Sequence, residues 1–415
     1  MNHTLFHRNF ILVIAGQIIS LFGNATVRFA LPLYLLNETG SSALFGAVTA
    51  CAFIPAILLS PVGGMVADRV DKRKIMVLLD CATAVLVLGC ALLLGRAPLL
   101  PLLIVTMMLL YGIAGAYQPA VQASIPALVV PERYVQANAV VNTVNAFAAL
   151  LGPVLGGILY SAWGLTGVLV LCGVCFALSA GMECFLQIPF TPQAKTGGLW
   201  ATVREDFRLS LNLLYRDVPA VGQGMLVICG MNLFLSAVLV VGVPYLVTQV
   251  LDLGTPEVTN RLCGFAQGAL AAGGLIGGAA AGVFHRSLRL ERAGNLLVLC
   301  AAAVFPIGLV LLLPAGPWVR YGVLLVCCFV IMVSSNIFTV ELLAFLQKVI
   351  PGELLGKVLS VVMTVSMCTH PLGSGLYGFL FQLWEGDEWG VLFFSGCASL
   401  LLGLGTRKVF RQSGD

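Results

Sequence analysis

Long apolar runs alternate with short polar stretches from one end of the chain to the other. They fall near residues 10–36, 42–66, 75–95, 99–124, 138–161, 164–188, 220–250, 260–284, 293–314, 319–346, 354–382 and 390–406. A helix of about 20 apolar residues spans the hydrocarbon core of a bilayer. The pattern therefore predicts an all-α integral membrane protein with twelve transmembrane helices. A spanning β-barrel would show segments of about ten residues with alternating polarity. The runs here are continuous and rich in Leu, Ala, Val and Gly, so helices are the spanning solution.

The longest break in the pattern runs from Pro189 to Pro219 and holds Pro192, Gly197, Gly198 and the amphipathic piece WATVREDFRLSLNLLYRD. Six runs precede it and six follow. This predicts a six-helix bundle over 1–188, a cytoplasmic linker over 189–219 and a second six-helix bundle over 220–415. The halves echo each other weakly. Pro131 and Pro351 each open a loop, and a second proline, Pro153 or Pro371, lies about 20 residues on, inside the following run. Parallel six-helix repeats are one transporter architecture, with the substrate site at the midplane between the repeats.

Composition agrees with the pattern. Of 415 residues, 59% are hydrophobic and 10% charged, against about 25% charged in a soluble domain. A soluble chain this apolar would expose large aggregating patches. The formal charge of +4 comes from basic residues scattered among short loops, with no aromatic-interleaved patch for nucleic acid. Most of the 13 cysteines lie inside apolar runs, where Cys acts as a small hydrophobe. No CxxC pair is accompanied by a matching His cluster, so no metal site is expected.

Lys and Arg set orientation, since they collect in cytoplasmic loops. With the N-terminus inside and twelve spans, all of the 22 basic residues except Arg28, Arg96, Arg261 and Arg320 fall on the cytoplasmic side. The outer loops carry acids instead: Glu38, Asp252, Glu257, Glu385, Asp387 and Glu388. Both termini are expected in the cytoplasm, and the chain in the cytoplasmic (inner) membrane.

Charge is concentrated once, in GGMVADRVDKRKIMVLLD, Gly63 to Asp80. The positive-inside rule accounts for its basic residues but not for Asp68 and Asp71. GMVADRVDKRK resembles the loop between the second and third helices of the major facilitator superfamily, whose pattern is roughly G-x-L-A-D-R-x-G-R-R-K. Gly64, Ala67, Asp68, Arg69, Arg73 and Lys74 match; Lys72 is a like-charge replacement, Val66 replaces Leu, and Asp71 stands where Gly is usual. LLGPVLGG, Leu150 to Gly157, resembles the G-P-x-x-G-G core of the fifth-helix motif of antiporters in that superfamily, with Ala148 where an earlier Gly is expected. The stretches FILVIAGQIISLFG, PLYLLNETGSSA, DKRKIMVLLD and QASIPALVVPER resemble the macrolide-efflux-like branch of its drug exporters. The likeness covers most of the N-terminal half, while the C-terminal half matches mainly in hydropathy. The resemblance implies the major facilitator fold. It also implies that Asp68 contacts the other bundle in a conformational switch, with Arg69 and Arg73 bracing the loop and Asp80 joining them.

Pro153 removes a backbone donor and kinks a helix, while Gly152, Gly156 and Gly157 let another helix approach closely. Polar residues inside the spans mark candidate cavity walls. Gln17, Asn24 and Arg28 share one face of the first span. Gln118 and Gln122 form a stripe on the fourth and Asn138, Asn142 and Asn145 one on the fifth. Asn232 and Ser236 on the seventh span, and Ser335, Asn336 and Thr339 on the tenth, do the same. Each such stripe is also what an ordinary interhelical hydrogen bond requires, and Arg28 has the alternative of snorkelling toward Glu38. Acids within the spans are Asp80, Glu183 and Glu341. Glu341 and His370 are the first candidates for proton coupling.

The expected function is secondary active efflux of a hydrophobic or amphipathic small molecule, drug- or macrolide-like, by alternating access as a proton antiporter. The expected partners are that substrate, protons and membrane lipid, with the chain a monomer. A lipid flippase or a siderophore or nutrient carrier of the same fold is the nearest alternative. A non-transporting receptor or channel is the alternative of another class, though a channel needs neither the repeat nor the loop at Gly63–Asp80. No Walker motif G-x-x-x-x-G-K-[ST] is present, no cofactor is implied, and no nucleophile–base pair points to an enzyme.

Overall fold

The computed structural model describes residues 7–187, 219–284, 290–350 and 352–412, with the side chains of 60–69, 219–221, 284, 290–293, 348–349, 352–357, 360 and 407–412 outside the description. The linker expected over 189–219, with its amphipathic piece, lies almost wholly outside the described residues, as do the side chains of Gly64, Asp68 and Arg69.

Among the described residues the secondary structure is helical throughout: α1 (Arg8–Thr39), α2 (Ser42–Arg69), α3 (Lys72–Leu93), α4 (Leu99–Leu128), a 3₁₀ turn (Pro131–Arg133), α5 (Tyr134–Glu183), α6 (Pro219–Met231), α7 (Ala237–Tyr245), α8 (Pro256–Phe284), α9 (Leu290–Leu312), α10 (Pro317–Val349), α11 (Gly352–Leu383) and α12 (Glu388–Gln412). Two π-helical turns, Asn232–Ser236 and Leu246–Val250, join and extend α6 and α7. Ten helices among the described residues are long and apolar enough to cross a membrane. One of them, Pro131–Glu183, has 53 residues, about 80 Å at the helical rise and far more than one bilayer. It turns at Gly164, whose φ of 64° and ψ of −178° interrupt the helix. A positive φ with extended ψ is open to glycine and almost closed to other residues. The expected fifth and sixth spans are the two arms of α5 on either side of that turn. The expected eleventh span is α11, a helix of 32 residues that is not among those ten.

Helix ends follow local chemistry. Gly40 closes α1 in the left-handed conformation, φ 63°, with its N–H on the Leu36 carbonyl, the usual αL stop. Asp71 caps α3: its side chain accepts from the Arg73 backbone N–H at 3.1 Å. Its φ of −54° needs no glycine, so an acid is accommodated where the superfamily pattern has Gly. The cap also starts α3 at Lys72, three residues ahead of the expected Ile75.

Two compact units emerge from the contacts. The first takes in Met1–Ala194 together with Gly254–Gly268; the second takes in Lys195–Leu253 and Ala269–Asp415. In the first, α5 packs along α1 and α3, and α2 along α4. Its core has one cluster around Val27, Leu31, Leu103, Leu169 and Phe176. A second, around Phe10, Met76, Tyr117, Val121 and Ile125, lies toward the end that carries Arg8 and Arg73. In the second unit α9 packs on α10 and α12, and α11 on α7. Large apolar side chains such as Leu78, Val85, Leu372 and Leu401 stand exposed on the helix surfaces, where a bilayer would cover them.

Candidate functional site

The first unit holds a small internal cavity of about 70 Å³, lined by residues of α1 (Ser20, Leu21, Asn24, Arg28), α3 (Asp80, Thr83) and α4 (Ile113, Ala114, Tyr117, Gln118). Three of the expected cavity residues, Asn24, Arg28 and Gln118, therefore meet on one wall-set, because α1, α3 and α4 turn polar positions inward at the same depth. Arg28 places its guanidinium carbon 3.3 Å from the centroid of the Tyr111 ring, and its Nε is buried without a hydrogen-bond partner among the described residues. Stacking on an aromatic face suits the planar guanidinium. Glu38, the acid suggested for Arg28, faces Tyr34 instead.

The wall below Asn24 carries a cluster of buried polar groups. The Ser20 hydroxyl donates to Asp80 Oδ1 at 2.9 Å. The Tyr117 hydroxyl donates to Glu183 Oε1 at 2.7 Å. Ser179 donates to the Gly16 carbonyl at 3.1 Å, and a Cβ on Gly16 would meet Ser179 Oγ at 3.3 Å and Glu183 Cγ at 3.6 Å. Gly16 thus lets α1 lie close against the end of α5. Asp80 and Glu183 are near enough to repel as charges, with Asp80 only 2% exposed and Glu183 at 0%. Gln17, also fully buried, has neither side-chain polar atom hydrogen-bonded; Asp80 Oδ2 and Glu183 Oε2 are likewise unpaired among the described residues. Sequence spacing put Gln17 on the Asn24–Arg28 face, and the structure places it deeper, in this cluster.

The remaining expected residues lie elsewhere. Arg73 donates through Nη2 to the Cys184 carbonyl, joining the start of α3 to the residue after Glu183. Lys74 is exposed. Asn145 donates to the Val141 carbonyl at 3.0 Å and accepts from Gln118 at 3.4 Å, while Gln122 and Asn142 are exposed. In the second unit Asn232 donates to the Ser366 carbonyl at 3.4 Å and Asn336 to the Met332 carbonyl at 3.1 Å. Asn336 also packs on Gly274 and Gly277 of α8. Glu341 and His370 are half-buried on α10 and α11. Nearby, the π-turn at Asn232–Ser236 presents the Phe234 carbonyl to two hydroxyls, Tyr377 at 2.9 Å and Ser395 at 2.6 Å.

The glycines flanking Pro153 work as close-approach positions. A Cβ on Gly152 would collide with Ala25 of α1, and one on Gly156 would lie 2.9 Å from Phe29. Gly157 meets the segment 254–268 instead: its Cβ would lie 2.7 Å from the Asn260 carbonyl oxygen and 3.2 Å from Gly264 Cα. Asn37 donates to Asn260 Oδ1 at 2.8 Å, and Ser161 to the Glu257 carbonyl at 2.8 Å, so the same segment is held along α1 and α5.

A family profile described as Major Facilitator Superfamily matches residues 13–406. The chain belongs to the Major Facilitator Superfamily. It is a multi-pass membrane transporter of that family, whose members carry small molecules. Among characterised relatives, macrolide efflux protein A of Streptococcus pyogenes is 24% identical over 375 residues, 88% of this chain and 87% of that protein. The lysophospholipid transporter LplT of Serratia proteamaculans is 29% identical over 359 residues, 83% of this chain and 81% of that protein. A bacterial homologue of the iron transporter ferroportin, solved in an inward-facing state, shares the fold at a TM-score of 0.73 with 18% identity, covering 97% of this chain and 98% of its own. The expected superfamily fold is thereby established.

What sequence reasoning missed is the pairing within the buried cluster. Asp80 and Glu183 were visible as acids inside spans. Ser20 and Tyr117 reach them from positions 60 and 66 residues away, and no local pattern signals such contacts.

Proposed function

We propose that this member of the superfamily is a proton-driven exporter of amphipathic compounds in the cytoplasmic membrane, with both termini cytoplasmic and a monomer as the working unit. The observation that carries the substrate class is Arg28 stacked on Tyr111 at a cavity whose other walls combine Leu21, Ile113 and Ala114 with Asn24 and Gln118. A cation placed inside a bilayer is expensive and marks a substrate or ion path. Here it stands beside apolar walls, the chemistry of a molecule with one polar and one greasy end. The kinship with a macrolide efflux protein supports a drug-like cargo.

The lysophospholipid transporter relatives favour a second reading, a single-chain lipid whose headgroup phosphate pairs with Arg28. Both cargoes are amphiphiles, and both are tested by one experiment. Cells expressing the chain accumulate less of a radiolabelled macrolide than cells without it, and a protonophore abolishes the difference. Export that survives the protonophore removes the proton drive. Reconstituted vesicles that move labelled lysophosphatidylethanolamine but not the macrolide establish the second reading in place of the first.

A further inference from the structure

The carboxyls of Asp80 and Glu183 come from different helices into one buried corner where α1, α3, α4 and α5 meet. Each has one oxygen satisfied, Asp80 Oδ1 by Ser20 and Glu183 Oε1 by Tyr117. Each has the other oxygen, Oδ2 and Oε2, buried and unpaired among the described residues, with the unpaired amide of Gln17 in the same corner. Among the described residues the donors to the pair, Ser20 and Tyr117, are neutral hydroxyls. The charged groups around it are few. From α1, Arg28 shares the cavity with Asp80 but is stacked on Tyr111. Arg73 of α3 is occupied by the Cys184 carbonyl, and α4 contributes only the phenol of Tyr117. On α2 the charged residues, Asp68 and Arg69, lie outside the described side chains.

Two ionised carboxylates in one buried site repel each other, and where no cation stands between them among the described residues, one proton is the least disruptive remedy. Asp80 also lines the cavity with Asn24, Arg28 and Gln118, so whatever occupies the cavity has access to one member of the pair. We infer that Asp80 and Glu183 together form the site of the coupling proton, one proton held on Oδ2 or Oε2, in place of Glu341 and His370. Proton uptake neutralises one carboxylate; release returns it to water through the cavity. A polar group of the cargo that reaches Ser20, Thr83 and Asp80 takes the space through which the proton leaves or arrives. This mutual exclusion is what antiport requires. The inference rests on the proposed proton drive for its use in transport, though not for the existence of the site.

Two measurements separate the site from its use. Infrared spectroscopy of the full-length protein in lipid vesicles reads the carbonyl stretch of protonated carboxylic acids. Wild type is expected to show a band that fades as pH rises and shifts in D2O, and that Asp80→Asn and Glu183→Gln each remove. Both substitutions are near-isosteric, and a monodisperse size-exclusion profile shows that the variants fold. A band that persists unchanged in both folded variants overturns the inference, as does a wild-type band that is insensitive to pH.

Transport of a labelled macrolide into inside-out vesicles is the second readout. Both variants are expected to lose uphill accumulation driven by a pH gradient, at least tenfold, while keeping exchange of labelled for unlabelled macrolide. Gradient-driven accumulation at wild-type level in both overturns the coupling role. If wild type moves no macrolide but the infrared band titrates as expected, the proposed cargo fails and the proton site stands.

Discussion

The Tyr117 hydroxyl on α4 donates a 2.7 Å hydrogen bond to Glu183 Oε1 on α5, with the tyrosine 5% and the glutamate 0% exposed. The bond bridges two helices at the same depth where Ser20 bridges α1 to Asp80 on α3. Four helices are thereby tied by two hydroxyl–carboxyl contacts. Tyr117→Phe strips the donor and leaves a buried carboxyl oxygen without a partner, a loss of about 1–3 kcal/mol. Thermal unfolding in detergent should show a lower apparent Tm for Tyr117→Phe. The double variant Tyr117→Phe/Glu183→Ala should be less destabilised than the sum of the two single changes, because one bond is being removed twice. Strict additivity would mean that the contact contributes nothing.

Arg28 is stacked 3.3 Å from the Tyr111 centroid and lines the cavity. Arg28→Ala removes charge and stacking together, and Arg28→Lys keeps the charge on a point-like ammonium that stacks less well. With a hydrogen bond from a charged group contributing about 1.5–3 kcal/mol, affinity for the cargo should fall by about ten- to a hundredfold in Arg28→Ala and by less in Arg28→Lys. Equilibrium binding to the detergent-purified protein checks this. Unaltered affinity in both variants would leave Arg28 a packing partner of Tyr111 with no part in binding the cargo.

Gly157 gives the segment 254–268 its seat on α5. A methyl group there would sit 2.7 Å from the Asn260 carbonyl oxygen and 3.2 Å from Gly264 Cα, both backbone atoms that cannot swing aside. Gly157→Val should therefore push that segment off α5 and break the Asn37–Asn260 hydrogen bond, 2.8 Å long. Cysteines placed at 37 and 260, in a background without the native cysteines, should cross-link through a short bifunctional reagent when Gly157 is intact. Cross-linking should drop several-fold with Gly157→Val. Equal yields would show that the close approach is not needed to hold the segment.

Much of the fold was legible because a bilayer enforces long apolar helices. Even the turn at Gly164 fell where the expected fifth and sixth runs part. The site was legible only in pieces. Helical spacing put Asn24 and Arg28 on one face, and they do line the cavity with Gln118. The same spacing put Gln122 and Asn142 on stripes, and both are exposed. Periodicity says which residues share a face, not what that face meets. Asp80 and Glu183 were visible singly, but their proximity arises from packing between helices far apart in sequence. The close seat of Gly254–Gly268 in the first unit was hidden for the same reason, since its partners Asn37, Gly157 and Ser161 are about 100 residues or more away.

Asp71 is the position where the loop departs from the superfamily pattern. Its side chain accepts from the Arg73 N–H at 3.1 Å, satisfying one of the donors that a helix start leaves free. The carboxylate also sits at the positive end of α3, where the helix dipole favours it. Asp71→Ala removes both effects and should destabilise by about 0.5–2 kcal/mol. Asp71→Asn keeps the cap without the charge and should lie between. Asp71→Gly, which restores the pattern, should differ from wild type by only a few tenths of a kcal/mol, since glycine is tolerated at a cap. Thermal unfolding of the three variants in one detergent checks the order Asn closest to wild type, then Gly, then Ala. A wild-type Tm for Asp71→Ala would mean that the cap does not stabilise α3, and that the acid is kept for something other than holding the start of the helix.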